Sequence, residues 1–315
     1  MLRHVVRRVS LAVVQLSLLA VLVFLLTSLL PGDAAEVQFN EQAGLDEVAH
    51  LRGQLGLDRP PAERFADWAG GLLSGDLGTS LVGGQPVSEI VASSITATVV
   101  LASVTAVLLV PLAMLLGLVM GLRAGGRLDR TITAVTLALN SIPDFVLALA
   151  LVAVFSLRLG WLPSTWLGAR GDDLPARPVL LVLPVVVLLT RTVCALSRQI
   201  RAGTVTALEA EYTVQARRLG VPRTRLVLRH VLPGAAVPGV QELARTGDQL
   251  LGGVLVVEAI FAIPGTATAL IDAVQSRDVP TVQALTLLLA AVALAFNVAA
   301  DLACQRLAPR SEVLR

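Results

Sequence analysis

The sequence predicts an all-α, polytopic membrane protein with about six transmembrane helices and a short additional helix on the cytoplasmic side. Three observations predict it. Of 315 residues, 55% are hydrophobic and only 15% charged, against roughly 25% charged in soluble domains. Apolar runs recur that match the 20 or so residues needed to cross a ~30 Å hydrocarbon core. The arginines gather in alternate connections, which is how the positive-inside rule orients a chain of several spans.

The first run covers residues 9–30, after Arg3, Arg7 and Arg8. A secretory apolar region has about 7–15 residues, so this longer run reads as a retained helix, with a signal peptide as the alternative. Pro31, Gly32 and Asp33 end it. The second run is 95–122 with Pro111 inside, the third 132–157 with Pro143 inside, the fourth 179–196 with Pro184 inside, and the sixth 282–304. Neighbouring helices and local water tolerate such prolines within a membrane. The fifth run, 235–260, is less clean, because it carries Glu242, Arg245, Asp248 and Glu258.

Orientation comes from the connections. Arginines mark the N-terminal segment 1–8, the link between the second and third spans (Arg123, Arg127, Arg130), the 197–234 loop and the 305–315 tail (Arg306, Arg310, Arg315). All four fall on one side if the spans alternate, which places both termini in the cytoplasm. The opposite loop, 31–94, has ten acids and three arginines. It reads as a small cap over the outer face, joined there by the 158–178 and 261–281 connections.

Composition also excludes functions. All 25 basic residues are arginine, so a P-loop or a Schiff-base mechanism has no lysine to use. A net charge of +2 gives no reason to expect nucleic acid. Cys194 and Cys304 lie in apolar segments with no metal-ligand spacing, and read as small packed hydrophobes. His4, His50 and His230 all lie outside the spans, and neither HExxH nor GxSxG occurs. An intramembrane enzyme therefore lacks its reactive groups.

The most informative stretch is Thr204 to Leu219, TVTALEAEYTVQARRL. Glu209 and Glu211 stand towards its front and Arg217 and Arg218 at its back, an order that suits a helix dipole. Gly220 and Pro222 then supply a stop. Leu208, Tyr212, Ala216 and Leu219 recur at helical spacing on one face. One reading is a linker helix resting on lipid headgroups. The small residues and mixed charge suit a protein groove better, since surface-lying helices carry bulkier apolar faces and clustered basic groups.

From Glu211 onward, EYTVQARRLGVPRTRLVLRHVLPGAAVP resembles the cytoplasmic loop of ABC importer permeases, in the version found in the dipeptide, oligopeptide and nickel group. Tyr212, Ala216, Arg217 and Gly220 match the core of that family's coupling helix, with Glu211 at a position where an acid commonly stands. Other stretches are similar in the family's order: RRVSLAVVQLSLLAVLVFLLTSLLPGDAA, GDLGTSLVGGQPV, NSIPDFVLALALVAVFSLRLGWLP, VVEAIFAIPG and RDVPTVQALTLL. The departures are Val231 to Gly234 after the loop histidine, Ser94 to Thr98 at entry to the second span, and Ala308, Pro309 and Arg310 near the end.

The resemblance implies the fold of a type I importer permease and a role as one permease subunit of an ATP-driven importer of the bacterial cytoplasmic membrane. Its cargo would be peptides or a related small solute, a nickel chelate included, moved by alternating access. It implies a homologous permease subunit (an identical copy being the other option), two ATPase subunits or domains, and an extracellular solute-binding protein, all set in membrane lipid. ATP and Mg would be bound by the ATPase, with no cofactor on this chain. Glu211, Tyr212, Ala216, Arg217 and Gly220 would form the contact that couples ATP hydrolysis to transport. An ion-gradient-driven transporter without an ATPase is the alternative.

Charged groups inside spans are functional candidates because hydrocarbon makes them costly. Asp144, Asp248 and Glu258 are the deepest acids and candidates for the translocation path. Against this, each has a structural reading: pairing with Arg245, capping a broken helix, or facing the partner permease.

Overall fold

Prolines and close-packed glycines decide how the apolar runs break and pack. The computed structural model describes residues 2–29, 53, 58–166 and 177–307. In chain order these form α1 (Leu2–Leu29), α2 (Pro61–Ser74), α3 (Val87–Leu122), α4 (Arg127–Asn140) and α5 (Asp144–Leu151), which runs on as a wide π-helical turn, Val152–Arg158. Next come α6 (Val179–Glu209), α7 (Glu211–Arg218) and α8 (Arg223–Leu226), then a second wide turn, Val227–Val231. The chain then forms α9 (Leu232–Phe261), α10 (Thr266–Gln275) and α11 (Val279–Leu307). Among the described residues the only extended pairing is an isolated bridge, Thr79 to Pro86. The Pro31-Gly32-Asp33 exit, most of the acid-rich part of the 31–94 loop, and Ala308, Pro309 and Arg310 lie outside the described residues. So do the side chains of Arg3, Asp248, Cys304 and Arg306.

Four helices, α1, α3, α6 and α11, are long and apolar enough to cross a membrane. Counting the bent pairs α4–α5 and α9–α10 as one span each gives up to six. Helix α6 is the centre of the bundle, packed along α3 on one side and α9 on the other, while α1 rests on α11.

The α3–α6 seam is written in the sequence of α3. Ala97, Leu101, Thr105, Leu109, Ala113, Gly117 and Gly121, every fourth residue, are all buried. Such a row is a ridge that fits the groove of a facing helix. It tapers to glycine at the arginine-rich end. A Cβ on Gly117 would lie 2.6 Å from the Ile200 Cβ and 2.7 Å from the Ser197 carbonyl oxygen. Small residues let membrane helix backbones approach closely, and dispersion across the seam then holds them. The opposite face of α3, including Val99, Val107 and Leu115, is exposed and apolar, as suits contact with lipid.

Two expectations are corrected, and one is extended. The third run, 132–157, is not one helix kinked at Pro143. Helix α4 ends at Asn140 and α5 starts at Asp144, with 99° between their axes. Pro143 has no N–H to donate and disfavours helix at the residue before it, so it starts the new helix from its N-cap position. Pro111 and Pro184, by contrast, stay inside α3 and α6. The fifth run likewise leads into a further helix. Ala262 turns left-handed (φ 51), and α10 leaves at 70° within the 261–281 connection. Finally, Thr204 to Leu219 is not one helix. Helix α6 continues past Leu196 to Glu209, and the chain breaks at Ala210.

Candidate functional site

Helix α7 hangs from α6 by the single residue Ala210, whose backbone is extended (φ −61, ψ 139). Glu211 occupies its first turn and Arg217 and Arg218 its last, each complementing the helix dipole. It ends in a Schellman turn: Gly220 is left-handed (φ 76), the Val221 N–H donates to the Ala216 carbonyl at 3.1 Å, and the Gly220 N–H to that of Arg217 at 3.1 Å. Glycine adopts that conformation without a Cβ penalty.

Because of the break, Leu208 belongs to α6 and the predicted four-residue face is divided. Thr213 and Ala216 are the buried side of α7. Glu211, Tyr212, Arg217, Leu219 and Gly220 are exposed. Tyr212 nevertheless stays seated on the start of α9. Its ring centre is 6.4 Å from that of His230, and a Cβ on Gly234 would come within 3.2 Å of the Tyr212 hydroxyl. Glu209, Glu211, Tyr212, Val214, Gln215 and Arg218 line an open depression beside α7. The helix thus presents a polar, mixed-charge outer side, with Thr213 and Ala216 turned inward.

Just above α7 on the same side of the molecule, Arg201 of α6 grips Asp129 of α4 with both arms of its guanidinium. Nε donates to Oδ1 at 2.6 Å and Nη2 to Oδ2 at 2.7 Å. The Gly125 N–H adds a third bond to Oδ2 at 2.8 Å, which ties in the turn between α3 and α4. In the sequence Arg201 is only one loop charge among many.

The three predicted acids separate. Asp144, first in α5, pairs with Arg191 of α6 at 3.4 Å, and not with Arg245. The side chain of Asp248 lies outside the described ones. Glu258 is fully buried, and both its oxygens are engaged. Thr98 of α3 donates to Oε1 at 2.6 Å and the Ala267 N–H to Oε2 at 2.8 Å. Thr98 in turn accepts the Thr266 N–H at 2.9 Å. Glu258 and Thr98, from two different helices, therefore satisfy the orphan N–H groups that begin α10. Enclosed in this way, the Glu258 carboxylate has both oxygens engaged at the start of α10.

A further acid escapes a reading of the sequence alone. Asp278 is buried and accepts the Ser80 hydroxyl at 2.5 Å, the Leu81 N–H at 2.9 Å and the Thr281 hydroxyl at 2.7 Å. It fastens the 75–87 segment to the start of α11. Its signal in the sequence is an Asp placed directly before a helix with a hydroxyl three residues on, which is a capping pattern.

A bundle of apolar helices broken at set points, with a short amphipathic helix presented beyond its arginine-rich end, defines the class: a membrane-spanning transport component. The chain belongs to the family described as the binding-protein-dependent transport system inner membrane component, whose model matches residues 113–313. The model of that family's N-terminal part matches residues 1–102. A putative peptide permease protein of Brucella suis biovar 1 is 32% identical, covering 99% of this chain and all of that protein. The glutathione transport system permease proteins GsiC of Salmonella choleraesuis and Escherichia coli O6:H1 are 35% and 33% identical, covering 96% of each chain. A crystal structure of an amino acid ABC transporter with histidines matches with a TM-score of 0.50 and 15% identity, over 70% of this chain and 94% of that one. At that identity the likeness is one of fold.

Proposed function

We propose that this chain is a permease subunit of an ATP-driven importer for peptides or peptide-like solutes such as glutathione. The observation that carries this reading is α7, a helix joined to α6 through one residue, seated on Thr213 and Ala216, with Glu211, Tyr212 and Arg217 turned outward. In this reading α7 fits a groove of an ATPase subunit on the cytoplasmic side, where both termini also lie. Closure of the ATPase pair pushes α7, and the helices of the bundle tilt with it. Support for a separate motor comes from the chain's own chemistry, since a nucleotide-binding P-loop needs a lysine and all 25 basic residues are arginine. The peptide class is supported by the names of the relatives. A second permease subunit, two ATPases and an extracellular binding protein complete the assembly. Asp144 and Asp248 are the acids we assign to the pathway wall.

The test is uptake of tritiated glutathione and of dialanine into vesicles holding the complete complex, with ATP supplied on the ATPase side. ATP-dependent uptake that also requires the binding protein is the expected result. Uptake that tracks an ion gradient and proceeds without an ATPase overturns the reading.

A further inference from the structure

The geometry points to the Asp129–Arg201 pair as the positioning element that makes α4 and the α3–α4 turn move with α7, and so carries the ATPase stroke into the outer helices of the bundle. This rests on the coupling role proposed for α7 and extends it to residues outside that helix.

A push on α7 reaches the bundle first through Ala210 and α6. Helix α6 is continuous from Val179 to Glu209, so it passes a tilt along its length. Which neighbours move with α6 depends on lateral attachment at the end where force enters. Helix α9 is held there by close packing, since a Cβ on Gly203 would lie 3.1 Å from the Ala235 Cα. The C-terminal end of α3 is held by Gly117 and Gly121, which lie against Ile200 and Thr204.

Helix α4 has no such glycine seam on α6. Its first turn is instead clamped by Asp129, whose two oxygens take both arms of Arg201 and the Gly125 N–H. A bidentate guanidinium–carboxylate pair fixes orientation as well as distance. Asp129 is 4% exposed while Arg201 is 34% exposed, so the carboxylate is enclosed and the arginine reaches in to meet it. Removing one partner leaves the other charge poorly solvated. The clamp sits about two turns of α6 before Glu209, close to where the stroke arrives. Beyond it α4 runs to the sharp bend at Pro143, and α5 then brings Asp144 to Arg191 of α6. One helix, α6, thus holds the start of α4 and the start of α5 by ion pairs.

The experiment uses the full complex in lipid vesicles, and reads the ratio of binding-protein-stimulated to basal hydrolysis of MgATP. That signal starts at the outer face and must cross the bundle to the ATPase. In D129A and R201A the ATPase subunits still co-purify and basal hydrolysis persists, while the stimulation ratio falls by about fivefold or more, the size of a typical coupling energy. The double variant D129A/R201A is no worse than either single one, because the pair acts as a unit. R201K keeps the charge but loses the fork, and restores only part of the ratio. It also serves if R201A fails to assemble.

An unchanged ratio in assembled R201K and D129A overturns the inference and leaves the role of α7 standing. A wild-type complex whose ATP hydrolysis ignores the binding protein overturns the coupling role itself, and this inference with it.

Discussion

The Thr98 hydroxyl and the Glu258 carboxylate meet at 2.6 Å, although 160 residues separate them. Their bond joins α3 to the end of α9 and prepares the N-terminus of α10, so three elements share one buried polar contact. Replacing Glu258 with Ala leaves the Ala267 N–H without its acceptor and turns the Thr98 hydroxyl to the Thr266 hydroxyl at 3.0 Å or the Ser94 carbonyl at 3.4 Å. Unpaired buried donors cost about 1–3 kcal/mol each. Glu258→Gln keeps an acceptor oxygen, so its melting temperature in detergent should fall less than that of Glu258→Ala. Equal losses would show that the carboxylate does not serve as the cap.

Gly265 presses on that same carboxylate. A Cβ there would overlap the Glu258 carboxyl group, whereas Gly252 on α9 has nothing within 4 Å. The Gly265 backbone (φ −108) suits any residue, so the penalty is steric. Gly265→Ala is expected to cost about 1–3 kcal/mol, the range for overpacking. Gly252→Ala is expected to be neutral or stabilising by up to about 1 kcal/mol through helix propensity. Thermal unfolding of the two variants side by side checks this.

The segment between α2 and α3 depends on Asp278. Its loss as Asp278→Ala frees the Ser80 hydroxyl and the Leu81 N–H, which removes the anchor of residues 78–87. Limited proteolysis near Val82 should accelerate about tenfold or more, the equivalent of about 1.4 kcal/mol of local opening. The helices of the bundle should keep their protection. Cleavage at the wild-type rate would contradict the anchoring role.

Gly220 is the residue that ends α7. At φ 76 a side chain with a Cβ meets strain of roughly 1–2 kcal/mol. Gly220→Val should weaken co-purification of ATPase subunits while the unfolding temperature of the bundle changes little. Gly220→Asn should be milder, since asparagine visits the left-handed region more readily. Undiminished capture of ATPase by Gly220→Val would remove this turn from the docking surface.

What the sequence determined by itself was the part of the fold that rests on local chemistry. Long apolar runs must become helices in lipid, because every backbone polar group there needs an internal partner. The stop at Gly220 and Pro222 and the charge order of Glu211 to Arg218 were equally local, and the structure ends a helix there, although that helix begins at Glu211 and not at Thr204. Tertiary structure decided the rest. Ala210 is among the best helix-forming residue types, yet the chain breaks there while α7 packs Thr213 and Ala216 inward, so packing overrides propensity. Pro143 could have sat within a helix as Pro111 and Pro184 do, but with α5 packed against both α6 and α9 it stands at a 99° corner. The pairs Asp129–Arg201, Thr98–Glu258 and Ser80–Asp278, each with an enclosed carboxylate, join residues from 72 to 198 positions apart. No periodicity reports such pairings, because the energy that selects them, the satisfaction of a buried charge or hydroxyl, exists only after the helices have met.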